Sequence, residues 1–363
     1  MLDSLDFEGL RRIGLRDLQQ RQWEAADVPP EAKLLRVTEL QREHLLLHDG
    51  HDECRGRLAK ALVHELAVDD DSVAVGDWVV ALPDAPLGWR VVDRLPPATR
   101  LARRVNDGRG SPRRQVLVSN VDMALLVMGL DHDFNVRRLE RYLALVRLAG
   151  VEAMLVLTKA DLVDVAQAAR RELQATEAMP PGMAVVVVDG RAPGTADVLA
   201  PWLLPGRTLV LLGSSGAGKS TLTNTLMRSI RQDTGPVRRG DDRGRHTTTA
   251  RTLHLTPEGA CIIDTPGLRA LRLDVGDDGE LQAVFGDVAQ WAARCRFRDC
   301  RHQAEPGCAV REAVAPERLR NFQKLQREAR RDTLTALERR EQVAQWKARG
   351  RQADIRMRAK RSG

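Results

Sequence analysis

The spacing of apolar positions changes character along this chain, and each change marks a different kind of element. Residues 1–33 are rich in Leu and Arg up to a Pro29-Pro30 break, which predicts a partly helical extension. From Leu34 to Leu95 the apolar positions fall in short alternating runs: Leu34–Leu40, His44–Leu47, Arg57–Leu62, Trp78–Leu82 and Trp89–Leu95. Turn signals at Asp49-Gly50, Gly76-Asp77 and Leu87-Gly88 separate them, the pattern of a small antiparallel barrel. Five strands fit an OB-fold, and the pattern alone leaves an SH3-like barrel open. Arg94, Arg100, Arg103, Arg104, Arg109, Arg113 and Arg114 then read as a basic linker, equally a solvated loop or a nucleic-acid contact.

Beyond Gln115 the texture becomes α/β. Val121–Met128 is a continuous apolar run suited to a strand buried on both faces. Asn135 to Val146 has helical spacing, with Asn135 as its N-cap. Ala153–Leu157, Ala184–Val188, Thr208–Leu212 and Ala260–Ile263 are further short strands, with helical stretches between most of them. Alternation of this kind predicts a doubly wound parallel sheet. From Pro316 a charged segment with Leu and Ala spacing reads as helix, running into the basic tail Arg356–Arg361.

Composition narrows the classes. The 363 residues suffice for two or three domains, and 43% hydrophobic with 29% charged content fits a globular protein. No apolar run approaches the roughly 20 residues of a membrane span. Asp3, Asp6 and Glu8 sit where a signal peptide would be basic, so a cytoplasmic protein with no membrane partner is expected. A net charge of +7 favours a polyanionic partner, while 3% aromatic content points to Arg and Lys on phosphate rather than base stacking. Five cysteines in such a chain argue against a disulfide framework.

Three short motifs carry the chemistry. Gly213, Ser214, Ser215, Gly216, Ala217, Gly218, Lys219, Ser220 and Thr221 match a phosphate-binding loop between a strand and a helix. Its glycines let amides approach phosphates, Lys219 pairs with the β- and γ-phosphates, and Ser220 offers a hydroxyl to Mg²⁺. Asp264-Thr-Pro-Gly267 ends an apolar strand, as a magnesium-associated carboxylate should, with Gly267 placed to offer its amide to the γ-phosphate. Thr158, Lys159, Ala160 and Asp161 follow another strand, and the Asp161 carboxylate can accept both N1–H and N2–H of guanine, a donor pair adenine lacks. The base reader precedes the phosphate loop, the reverse of the usual order, which is the signature of a circularly permuted GTPase.

Between phosphate loop and Asp264 lies Arg243-Gly-Arg-His246-Thr247-Thr248-Thr249, where a switch loop belongs. Thr248 or Thr249 is expected to complete the Mg²⁺ shell. Leu268 occupies the position after the Asp264 motif where a water-orienting Gln or His is usual, so His246 is the local candidate for catalysis and an RNA or protein partner is the other. Cys295, Cys300, His302 and Cys308 supply three thiolates and an imidazole within fourteen residues, enough for one closed, structural Zn²⁺ site.

Together these residues resemble the circularly permuted, small-ribosomal-subunit-dependent GTPase A family, also called the YjeQ/YloQ family. The likeness runs over residues 34–330 and includes Val75-Gly-Asp-Trp78-Val, Asn120-Val-Asp122 and Asp131-His-Asp-Phe134-Asn-Val-Arg-Arg-Leu-Glu-Arg-Tyr142. It implies an N-terminal OB-like barrel, a permuted P-loop GTPase domain and a C-terminal, mainly helical zinc-binding domain. The expected boundaries are 1–33 for the extension, 34–112 for barrel and linker and 113–273 for the GTPase domain, then 274–330 for the zinc domain and 331–363 for a basic helix or tail. The resemblance implies a monomer that binds GTP and GDP, engages the small ribosomal subunit and its rRNA in late maturation, and hydrolyses GTP with stimulation by the subunit. Two departures stand out: Thr158 where many members carry Asn, and Val188-Asp189-Gly190 in the last base-contacting loop in place of Ser-Ala. A non-catalytic RNA-binding module and a P-loop ATPase or kinase are the alternative classes.

Overall fold

The structure, a computed structural model, describes residues 5–41, 44–85, 88–105, 113–228, 251–265 and 285–333. The chain divides into two compact units, Met1–Arg103 with Gln115–Leu271, and Arg104–Arg114 with Arg272–Gly363.

The first unit opens with two helices, α1 (Phe7–Arg12) and α2 (Asp17–Ala25). Asp6 caps α1 by accepting from the Glu8 amide at 3.0 Å. A barrel follows: β1 (Lys33–Leu40), β2 (Leu45–His48), β3 (Glu53–Leu58), α3 (Lys60–Val68), β4 (Trp78–Asp84) and β5 (Gly88–Arg94). β1 pairs antiparallel with β2 and β4, β2 with β3, and β4 with β5, while β3 pairs parallel with β5. The sheet therefore closes in the order 1-2-3-5-4-1 with a helix between β3 and β4, which selects the OB-like barrel over the SH3-like one. Alternate strand positions Leu35, Val37, Leu47, Val79 and Val91 fill its interior. Residues 60–62, read from sequence as the end of a strand, begin α3, and Leu62 buries against that interior.

Where the sequence suggests a basic linker, β6 (Arg100–Val105) and β7 (Arg113–Ser119) pair as a two-stranded sheet. The α/β part then runs β8 (Met123–Gly129), α4 (Val136–Leu148), β9 (Glu152–Thr158), α5 (Val165–Ala178), β10 (Val185–Val187), α6 (Thr195–Leu199), β11 (Thr208–Leu212) and α7 (Lys219–Leu226), and closes with β12 (Thr252–Leu255) and β13 (Cys261–Asp264). β10, β9, β8, β11 and β13 are parallel neighbours, and β12 runs antiparallel beyond β13. Every residue of β8 and β11 is buried, as the continuous apolar runs predict. Asn135 accepts from the Arg138 amide at 3.1 Å and starts α4, which buries Leu139, Tyr142, Leu143 and Val146 at helical spacing.

Barrel and parallel sheet meet at one register position, Glu39 opposite Thr252. The seam is filled by polar groups: Arg36 of β1 is fully buried and donates to Thr208 Oγ1 (3.0 Å), the Asn120 carbonyl (3.3 Å) and the Ile13 carbonyl. Its guanidinium lies 5.4 Å over the Trp78 ring. Arg16 of the extension pairs with Asp122 at 2.8 Å, and the same carboxylate accepts from the Thr208 amide at 2.7 Å.

The second unit holds α8 (Gly286–Ala292), α9 (Ala309–Ala313) and α10 (Pro316–Thr333). Pro316 opens α10, where its missing N–H costs nothing. Phe285 and Phe322 pack edge to face at 5.4 Å, and Arg318 grips both oxygens of Asp287 at 2.5 and 2.8 Å. Among the described residues no helix is long and apolar enough to cross a membrane.

Candidate functional site

The carboxyl ends of β9, β8, β11 and β13 lie side by side, the place where open parallel sheets bind ligands. β11 leads into the loop Gly213–Gly218, and α7 begins at Lys219. A side chain on Gly213 would come within 2.4 Å of the Val127 carbonyl, and Gly218 has φ +95°, so the turn needs glycine at both ends. Ser215 and Gly216 are exposed at its apex. Lys219 is buried and donates to the carbonyls of Gly213 (3.1 Å) and Ser214 (2.9 Å). Burial pushes its ammonium down to about 8, against the favourable fields of Asp264 and Asp133.

The segment Thr158–Asp161 touches this loop directly. Thr158, at the end of β9, donates its hydroxyl to the Ala217 carbonyl at 2.7 Å. Its neighbour Lys159 adopts φ +62°, and the 3₁₀ turn Ala160–Leu162 that follows presents Asp161 at the surface. The loop after β10 is tied to the same helix, since Thr225 of α7 donates to the Gly190 carbonyl at 2.6 Å. Thr221 contributes its carbonyl to Thr225 Oγ1 at 3.2 Å.

The segment between β8 and α4 enters the sequence reading only as part of the resemblance, with no role for Asp131 or Asp133. Lys159 Nζ pairs with Asp131 at 2.9 Å, and burial there is outweighed by that bond, which holds the Asp131 carboxylate below its ordinary range. Ser214 donates its hydroxyl to Asp133, which pairs with Arg138 at 2.8 Å. The available signal was two carboxylates at i and i+2 directly after a strand of the parallel sheet, where a binding crevice forms.

On the other side of the phosphate loop, Asp264 ends β13 fully buried, with one oxygen 3.2 Å from Ser220 Oγ. An anionic carboxylate beside a hydroxyl is a donor set that suits a hard cation. His246, Thr248, Thr249, Gly267 and Leu268 lie outside the described residues.

In the second unit the ligand atoms of Cys295, Cys300, His302 and Cys308 all lie within 4.8 Å of one another. Cys295 Sγ is 4.0 Å from Cys308 Sγ and 3.7 Å from His302 Nδ1, which is 3.4 Å from Cys308 Sγ. Tetrahedral zinc with bonds of about 2.3 Å to sulfur and 2.0 Å to nitrogen spaces its ligands by roughly 3.5–3.8 Å, so the cluster fits a structural zinc ion. His302 takes φ +58°, and Gln323 of α10 donates to its carbonyl at 2.7 Å, anchoring the strained residue.

Relatives and solved structures agree with this geometry. The RsgA GTPase family profile matches residues 95–274. The chain is 50% identical over 271 residues to a Xylella fastidiosa (strain M23) protein named small ribosomal subunit biogenesis GTPase RsgA, covering 73% of this chain and 76% of that one. It is 41% identical over 339 residues to the like-named protein of Xanthomonas axonopodis pv. citri (strain 306), covering 90% of each. Among solved structures it is similar to YjeQ from Thermotoga maritima (TM-score 0.57, 23% identity, 82% of this chain and 98% of that one). A second is YloQ, described as a circularly permuted GTPase (TM-score 0.56, 21% identity, 84% and 96%). The fold is thus that of a circularly permuted GTPase, and the chain belongs to the RsgA GTPase family.

Proposed function

We propose that this protein hydrolyses GTP while bound to the small ribosomal subunit, late in that subunit's maturation, and that the subunit stimulates turnover. The observation that carries the nucleotide part is the Thr158 to Ala217 contact of 2.7 Å. It joins the segment that would read the base to the loop that would hold the phosphates, so one nucleotide can reach both. Relatives named for small-subunit biogenesis support the ribosomal part.

In this reading Asp161 accepts from guanine, the Lys159 stem lies along the base, and the amides of 213–218 with Lys219 hold the phosphates. Ser220, Asp264 and one of Thr248 and Thr249 serve a Mg²⁺ ion, which would offset charge on the β- and γ-phosphate oxygens. Gly267 offers its amide to the γ-phosphate, and His246 is the proposed water-positioning group. Cys295, Cys300, His302 and Cys308 hold one structural Zn²⁺. The surplus of 57 Lys and Arg over 50 Asp and Glu suits rRNA contact through phosphates, in a cytoplasmic monomer.

The test is GTP turnover by the full chain with and without purified small subunits. Stimulation that is lost in Lys219→Ala is expected. Turnover indifferent to the subunit would leave only a nucleotide-holding RNA-binding module, and equal use of ATP would sink the role of Asp161.

A further inference from the structure

The loop joining β8 to α4 places a carboxylate where phosphate chemistry has no obvious use for one. Ser214 faces two ways: its carbonyl accepts from Lys219 Nζ at 2.9 Å, and its hydroxyl donates to Asp133. Asp133 is thus one residue's width from the buried lysine of the phosphate loop. It is also held in place. Arg138 pairs with it at 2.8 Å and bonds its carbonyl, while Arg171 of α5 donates to the carbonyls of Leu130 (2.5 Å) and Asp131 (2.8 Å). The Asp133 side chain is only 24% exposed, so water screens its charge incompletely.

A carboxylate can donate nothing to a phosphate oxygen. It can brace the loop by accepting from Ser214, or it can repel the incoming anion through its charge. Asp264, on the far side of the loop, already supplies a carboxylate suited to a cation. We propose that Asp133, with Arg138 as its counter-ion, is an affinity-setting residue of the phosphate site, weakening nucleotide binding in proportion to the charge of the phosphate chain. This rests on the phosphate loop being the nucleotide site.

Asp133→Asn keeps an oxygen to accept from Ser214 and removes the charge, and at pH 6.5, where Lys219 holds its proton, it separates bracing from repulsion without acting through that ammonium. Arg138→Gln leaves Asp133 uncompensated. Affinities of the full-length wild type and both variants for GMP, GDP and a non-hydrolysable GTP analogue are measured by calorimetry at low and high salt. Asp133→Asn is expected to tighten GDP and the GTP analogue by about five-fold or more, GMP less, with the gain shrinking in salt. Arg138→Gln is expected to weaken the same ligands, so damage to folding, which weakens both variants, cannot mimic the result. Unchanged or weaker GDP binding by Asp133→Asn, in a wild type that binds GDP, overturns this proposal alone. A wild type that binds no guanine nucleotide overturns the reading of the site and the proposal with it.

Discussion

Thr158 illustrates what a single residue type can and cannot declare. Its hydroxyl reaches the Ala217 carbonyl at 2.7 Å, so the link between the proposed base-reading segment and the loop 213–218 needs one short donor. The four-residue match carries that possibility in the sequence, but only the fold brings residue 158 to residue 217. Lys219 is the residue whose environment makes the sharpest prediction. Its ammonium is pushed down to about 8 by burial, whereas an unfolded chain leaves it at its ordinary value of 10.5. Between these values the unfolded chain binds more protons than the folded one, so raising pH through that window favours folding. Phosphate does the reverse, favouring the ammonium. GDP affinity is therefore expected to fall as pH rises from 7 to 9, with proton uptake on binding above pH about 8. Calorimetry in buffers of different ionisation enthalpy reads this directly, and no proton uptake at pH 9 would contradict it.

At the scale of elements, apolar periodicity located most strands and helices because burial on one face or both leaves a direct trace. It failed where charged residues interrupt the apolar positions. β6 and β7 are arginine-rich, and although Leu101, Val116, Leu117 and Val118 are buried, the apolar runs between the charged residues are too short to mark strands. The start of α3 was hidden for a different reason, since Leu62 is inward-facing whether its segment is strand or helix. The cluster between α8 and α9 is the opposite case. The segment from Cys295 to Cys308 has little apolar content, and a bound metal is what would stabilise it. The purified protein is expected to carry about one zinc per chain, and Cys300→Ala close to none, by elemental analysis. The same substitution should lower the denaturant midpoint of the C-terminal helices, monitored by Trp291 fluorescence. Full zinc retention by Cys300→Ala would remove that thiol from the ligand set.

At the scale of the first unit, one buried cation ties three segments together. Arg36 of the barrel bonds Ile13 of the extension, Asn120 at the entry to the parallel sheet and Thr208 of β11. Burial lowers the pKa of its guanidinium, with Cys261 and Asp122 acting in the other direction. Replacing it with Met would strand three buried acceptors. Arg36→Met is expected to cost roughly 2–4 kcal/mol in chemical denaturation. Arg36→Lys should not recover the loss, because one ammonium cannot reproduce a planar fork reaching three acceptors. A variant as stable as wild type would show the seam to rest on apolar contact instead.

Some features needed nothing but the chain itself. The motif order, the short strands of the barrel and the four candidate metal ligands each follow from local spacing, because backbone turns, alternation and coordination chemistry act over a few residues. Barrel closure, the pairing of β6 with β7, the meeting of Thr158 with Ala217 and the placing of Asp133 against Ser214 were decided only in three dimensions. These contacts join residues 59 and 81 positions apart in the last two cases. Such partners leave no periodic mark in either segment, since what selects them is the adjacency of strands in the finished sheet.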